Sequence, residues 1–119
     1  MAKRLTENSK ENFFADVFEI VKLIPKGRVS TYGAIANCLG LKSGARMVGW
    51  AMNASHGEKG VPAHRVVNRN GLLTGKMHFK TPQTMETRLK AEGIKVVKDQ
   101  VVDFEKLFWD PAEKIFGKK

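Results

Sequence analysis

A single cysteine, Cys38, is present among 119 residues, so no internal disulfide can form. A lone thiol fits a reducing compartment, and a cytoplasmic protein is expected. Paired metal-binding cysteines are missing too, and His56, His64 and His78 are not spaced like a zinc site, so no metal is expected. A glycine-rich phosphate loop of the Walker or dinucleotide type is also missing, and no cofactor is expected. No run approaches the ~20 apolar residues of a membrane-spanning helix. The stretch from Met1 to Glu7 lacks the apolar core of a secretory signal. Prolines are few, at 4, and with 42% hydrophobic residues the composition is that of a folded chain rather than a disordered one. Acidic residues are scarce: 12 Asp and Glu face 21 Lys and Arg, a net charge of +9. Such a surplus favours a polyanionic partner, nucleic acid before membrane. The length suffices for one domain with a modest core, and a monomer is expected.

What is present is mostly helical patterning. Phe13, Val17, Val21 and Ile24 recur at helical spacing, with Phe14 and Phe18 widening the stripe. They predict a first helix over residues 8 to 24, opened by a capping box at Asn8 and Glu11 and stopped by Pro25-Lys26-Gly27. A second helix is expected from Thr31 to Leu39, capped by Ser30 or Thr31 and ended by Gly40. Ser43 can cap a third that runs to about Ala54, and two short helices around a glycine-containing turn form the helix-turn-helix pattern. Residues 55 to 80 lack helical periodicity and read as a structured loop, with the β-prone Arg65-Val66-Val67 and the turn dipeptide Asn70-Gly71. A fourth helix should start at Thr81, with Pro82 at its first position, and end at Gly93, burying Met85 and Leu89. Ile94 to Phe104 alternates around Lys98-Asp99 and reads as a hairpin. The fold class expected is a mostly α winged helix-turn-helix with a small β-hairpin, in one domain. Phe104 to Trp109 is an apolar tail that either covers the core or forms a contact surface, and the final lysines are expected to fray.

Several short motifs stand out in order along the chain: Gly27 to Gly33, Ala45-Arg46-Met47-Val48-Gly49, Asn53, Pro62-Ala63-His64-Arg65-Val66-Val67, and Glu92-Gly93. Together they resemble the O6-alkylguanine-DNA alkyltransferases over about Phe13 to Gly93, in that family's order and close to its spacing. The family's signature reads Pro-Cys-His-Arg-Val, and its cysteine thiolate takes the alkyl group from guanine. Position 63 here is alanine, which has no atom able to accept one. The chain is thus similar to the alkyltransferase-like subgroup, which lacks the cysteine, binds O6-alkylguanine without repairing it, and hands the lesion to nucleotide-excision repair. That subgroup often carries tryptophan where this chain has Ala63, so lesion affinity and size preference do not transfer directly. The smaller side chain leaves room for alkyl groups larger than methyl.

The resemblance implies roles for individual residues, each set beside a plainer reading. Tyr32 would press on the phosphate beside the target nucleotide and help to turn it out; otherwise it is a core tyrosine at a helix start. Arg46 would fill the gap in the base stack, a task suited to a flat, forked cation; otherwise it is a solvated arginine. Gly49 and Ala45 would let their helix approach the minor groove closely, and Arg65 is expected among the DNA-binding residues. The lesion pocket is expected from Tyr32, Asn53, Pro62, Ala63, His64, Val66 and Lys76. The family's matching histidine and glutamate activate the cysteine, and here His64 and Glu92 would persist as a structural pair. Asn53 would bond backbone groups in the hinge before the site. Lys76 would place a cation near the guanine face, with Arg69 as a competitor and a solvated lysine as the alternative. Cys38 is better read as a small core residue than as a displaced nucleophile.

The expected function is therefore a non-catalytic sensor of O6-alkylguanine in double-stranded DNA, with a damage-recognition protein of nucleotide-excision repair as partner. The alternatives are an active methylated-DNA-protein cysteine methyltransferase whose cysteine was replaced, a winged-helix regulator that reads an undamaged operator, and a basic protein with a degenerate site.

Overall fold

The computed structural model describes residues 10–41 and 44–117, so the caps expected at Asn8 and Ser43 and the last two lysines lie outside the described residues. Helix α1 (Lys10–Lys22) forms where the apolar stripe predicts it and buries Phe13, Val17, Ile20 and Val21. It ends at Lys22, two residues before the expected limit at Ile24. Pro25 disfavours helical geometry at the residue before it, and the amides of Leu23 and Ile24 instead make tight three-residue bonds to Ile20 and Val21.

Thr31 opens α2 (Tyr32–Cys38), its Oγ1 accepting from the Ala34 amide at 3.0 Å. The helix closes in a Schellman motif: Leu41 N–H donates to Ala36 O at 3.0 Å and Gly40 N–H to Asn37 O at 3.0 Å. Gly40 adopts φ +76°, a conformation that costs a residue with a Cβ about 1 kcal/mol or more. Helix α3 (Ala45–Ala54) then packs across α2, and this is the helix-turn-helix read from the sequence. Gly44 lies at the closest approach, where a Cβ would come within 2.7 Å of the Leu41 Cβ.

Two short parallel strands sit behind these helices. β1 (Ser30–Thr31) pairs with β2 (Val66–Val67) in the register Ser30↔Val66 and Thr31↔Val67. Successive strand side chains face opposite ways, so Val66 joins a core formed mainly by α1, α2 and α3, while Val67 joins a second core. That second core contains Leu73, α4 (Thr84–Ala91) through Met85 and Leu89, and the hairpin of β3 (Val96–Val97) and β4 (Gln100–Val101). The hairpin turns at Lys98 and Asp99, both at positive φ (52° and 63°), as its two-residue turn requires.

Helix α4 begins at Thr84, not Thr81. Thr81 spends its polar groups on a local turn: its amide donates to Thr84 Oγ1 at 3.2 Å, the two hydroxyls lie 2.9 Å apart, and Pro82 and Gln83 stay in the turn. The end of α4 matches expectation, with Gly93 at φ +88° and Ile94 N–H donating to Leu89 O at 3.1 Å.

The tail is part of the fold. Val29 N–H donates to Leu107 O at 3.1 Å and Trp109 N–H to Val29 O at 2.7 Å, while Arg28 holds the carbonyls of Leu107 (3.0 Å) and Phe108 (3.2 Å). Trp109 enters the first core and is only 7% exposed. Two short helices flank it, α5 (Phe104–Leu107) and α6 (Pro111–Phe116), where the sequence reading placed none. The starting signals of α6 were present in Asp110, whose carboxylate accepts from Ala112 N at 3.1 Å, and in Pro111. Replacing Trp109 with alanine is expected to cost about 3–5 kcal/mol of stability. Urea denaturation followed by far-UV circular dichroism checks it, and a loss below about 1 kcal/mol would remove the tail from the core.

Candidate nucleic-acid interface

A cavity of about 380 Å³ opens between the helix-turn-helix and the loop that follows it. Its walls come from four parts of the chain: Tyr32 at the start of α2, Arg46, Gly49, Trp50 and Asn53 along α3, Ala63 and Val66 around β2, and Thr74, Gly75, His78 and Phe79 from the loop. Arg46, Trp50 and Asn53 fall at i, i+4 and i+7 and so share one face of α3. Arg46 is exposed and has no ion pair among the described residues. Tyr32 is set by the Thr31 cap, and its hydroxyl reaches the loop. Burial raises its pKa, a hydrogen bond with Thr74 opposes the rise, and a Cβ on Gly75 would sit 3.0 Å from the phenol oxygen.

Ala63 lies on the cavity wall and is 8% exposed. It opens the short turn Ala63–Arg65, which leads into β2, and beside it is a cluster centred on Glu92 at the C-cap of α4. Glu92 Oε2 accepts from His64 Nε2 at 2.7 Å and from Arg65 Nη2 at 2.7 Å, and Oε1 accepts from Arg65 Nε at 3.1 Å and the Gly27 amide at 3.2 Å. Burial alone would raise the carboxyl's pKa; the bonds from Arg65, His64 and Gly27 outweigh it and hold the pKa down to about 2. His64 moves the other way from its ordinary value. Burial lowers its pKa, against the pull of Glu92, so the ring is neutral near pH 7 and donates from Nε2. Its Nδ1 is buried and bonds to none of the described residues. A base held by an orienting carboxylate has the form of a nucleophile-activating pair, but the adjoining residue 63 supplies no nucleophile. Among the described residues no three His, Cys, Asp or Glu side chains converge to hold a metal.

The expected site residues divide. Tyr32, Arg46, Gly49, Asn53, Ala63 and Val66 line the cavity; Pro62, His64 and Lys76 do not. Arg65, expected at the DNA surface, is turned inward: its Nη1 donates to Ile24 O at 2.8 Å, Glu92 holds the rest of the guanidinium, and the side chain is 16% exposed. Lys76 pairs with Asp99 at 2.6 Å and ties the loop to the hairpin turn. Asn53 is exposed on the cavity wall and its side chain bonds no backbone group among the described residues, while two residues on the buried Ser55 hydroxyl donates to Met52 O at 2.6 Å. Cys38 is half-buried against the first core, and burial, then Asp110, raises its pKa away from the reactive thiolate. The sequence reading missed Trp50, His56, His78 and Phe79. Trp50 had a signal, an aromatic one helical turn beyond Arg46 on the same face.

A basic chain with this helix-turn-helix and a cavity directly behind it falls in the class of helix-turn-helix DNA-binding domains. More specifically, residues 12–94 match the family model described as "6-O-methylguanine DNA methyltransferase, DNA binding domain", and the chain belongs to that family. It is 35% identical over 105 residues to the alkyltransferase-like protein 1 of Schizosaccharomyces pombe, covering 85% of this chain and 97% of that protein. It is 37% identical over 102 residues to the DNA base-flipping protein of Vibrio parahaemolyticus, covering 85% and 99%. The crystal structure of S. pombe Atl1 in complex with damaged DNA containing O6-carboxymethylguanine superposes with a TM-score of 0.70 at 36% identity, over 83% of this chain and 95% of that one.

Removing the charge at the centre of the cluster, Glu92→Gln, leaves Arg65 and His64 without their anion and is expected to cost about 3 kcal/mol in urea denaturation at pH 7. Acid should act on the same groups. The His64 contribution is complete above its unfolded pKa of 6.5 and is lost as pH falls below it, because the unfolded chain binds the proton more readily. The Glu92 contribution is complete above 4.5 and is lost as pH falls towards about 2. Stability measured against pH should therefore decline below about pH 6.5 and more steeply below 4.5, and Glu92→Gln should flatten the steeper part. An unchanged slope in the variant would contradict the assignment.

Proposed function

We propose that this chain binds double-stranded DNA, turns an O6-alkylated guanine out of the stack into the cavity beside Ala63, and leaves the alkyl group in place. The observation that carries this reading is a methyl group on the cavity wall at residue 63, where the family's signature has its acceptor cysteine. The one thiol of the chain, Cys38, does not line that cavity. The relatives' names, an alkyltransferase-like protein and a DNA base-flipping protein, support a sensor over an enzyme.

Each residue's task follows from its chemistry. The Tyr32 phenol presses on the backbone next to the lesion. Arg46 enters the space left by the departed base, where its plane stacks and its N–H groups pair with the orphaned partner. Trp50 is 52% exposed on the same face of α3 and offers an apolar surface to the groove. Net charge of +9 supplies affinity through phosphate contacts, so binding weakens with salt. Discrimination comes from the cavity and from the lower cost of flipping a weakly paired, damaged base. The protein would act as a monomer in the cytoplasm, and a damage-recognition protein of nucleotide-excision repair would take over the bound lesion.

Competitive binding to matched duplexes carrying guanine or O6-methylguanine tests this, with mass spectrometry of the protein afterwards. The expected result is tighter binding to the lesion and no gain in mass. Equal binding would leave a general DNA binder, and a gain of one methyl would mean an alkyl acceptor elsewhere in the chain. Arg46→Ala should weaken lesion binding by roughly tenfold or more, as loss of one charge-assisted contact does. An unchanged affinity would remove Arg46 from the interface.

A further inference from the structure

The loop that forms one wall of the cavity is laid along the β3–β4 hairpin. Leu72 bridges to Gln100 in antiparallel fashion, and Leu73 N–H donates to Asp99 O at 2.9 Å. Val101 N–H donates to Gly71 O at 2.9 Å and the Gln100 side-chain amide to Asn70 O at 2.8 Å. The loop then leaves the hairpin and reaches the cavity as Thr74 and Gly75. Both meet Tyr32 there. Thr74 shares a hydrogen bond with the phenol, and a Cβ on Gly75 would sit 3.0 Å from the phenol oxygen, so a small shift of this wall moves the ring.

Asp99 grips this wall on both sides. Its carbonyl takes the Leu73 amide just before Thr74, and its carboxylate takes the Lys76 ammonium at 2.6 Å just after Gly75. Both atoms belong to the second residue of the hairpin turn, where the backbone is left-handed at φ 63°. Glycine is the relaxed choice at that place, and two-residue turns favour it there. The carboxylate returns little stability for the strain, since the pair is partly solvated, with the Lys76 and Asp99 side chains 31% and 48% exposed. Backbone strain joined to a contact that adds little stability points to a task other than holding the fold together.

We propose that Asp99 is a positioning residue for lesion recognition, which by holding Lys76 sets the Thr74–Gly75 wall against Tyr32. The inference rests on the function proposed above and gives the hairpin a part in it. Asp99 does not line the cavity, and as an anion it is repelled by phosphate, so it acts through the loop and not by touching DNA. The bond from Leu73 fixes where the loop leaves the hairpin, and the bond from Lys76 fixes where it goes next. With the second bond gone, the wall is held on one side only, and the Tyr32 phenol loses the surface that seats it.

The test measures competitive binding to matched duplexes carrying O6-methylguanine or guanine, with urea denaturation alongside, for the wild type, Asp99→Gly, Asp99→Asn and Lys76→Met. Asp99→Gly keeps the turn and the carbonyl bond to Leu73 but frees Lys76. Its preference for the lesion should fall roughly fivefold, the scale on which a residue outside a site acts on it. Its urea midpoint should stay close to that of the wild type, because strain is relieved as a weak pair is lost. Asp99→Asn tolerates the same backbone and offers Lys76 a neutral acceptor, so it should retain most of the preference. Lys76→Met should lose as much as Asp99→Gly, and combining the two should lose no more. If Asp99→Gly tightened both duplexes equally and left the preference unchanged, Asp99 would be a repelling charge only, and the proposal would fall. A lost preference with a collapsed urea midpoint would make it a folding residue, and a further loss on the Lys76→Met background would mean another route; either overturns the proposal. No preference for the lesion in the wild type would overturn the function itself, and this inference with it.

Discussion

The Glu92 carboxylate, at the end of α4, gathers donors from two other segments: the turn after α1 through the Gly27 amide, and the site segment through His64 and Arg65. Arg65 extends the same network to the Ile24 carbonyl. The two hydrophobic cores meet across the short β1–β2 pair, and this polar knot ties the segment from Ala63 to Val67 to the end of α4 and to the turn after α1. The Schellman end of α4 places Glu92 there, because Gly93 reverses the backbone directly after it. A buried charge so fully partnered is expensive to disturb, since removing one member leaves the others desolvated.

That dependence gives the pair a place in the fold apart from any chemistry. His64 and Glu92 have the arrangement of a base and its orienter, residue 63 beside them carries only a methyl group, and their bond ties the site segment to the end of α4. The cavity takes Ala63 and Val66 from the segment that this pair ties down, and its other walls from Tyr32, the α3 face and the Thr74–Gly75 loop.

Much of this was legible in local pattern. Helical spacing from Phe13 to Ile24, Thr31 as a cap, Gly40 as a stop and the Lys98-Asp99 turn each act over a few residues, and the structure follows them closely. The parallel β1–β2 pairing was not legible, since two-residue strands carry no periodicity and their partners lie far apart in the chain. Neither was the strand-like docking of Leu107 to Trp109 on Val29, which depends on backbone bonds that leave no sequence signal. At the site, six residues singled out by the family resemblance, Tyr32, Arg46, Gly49, Asn53, Ala63 and Val66, line one cavity. The resemblance did not place Arg65 and Lys76, because a long cation's partner is decided by the tertiary fold: each found a carboxylate, Glu92 and Asp99, brought near by chain folding. Asn53 points outward from α3, and the buried backbone bond at that helix end is made by Ser55, two residues on.

A crystal structure of the protein on a duplex with one O6-methylguanine tests the central claim most directly. The account predicts the modified base outside the stack, against Tyr32 and Ala63, with Arg46 in the vacated space and the methyl carbon still bonded to O6. A methylguanine left stacked in the duplex, or a methyl group found on the protein, would contradict it.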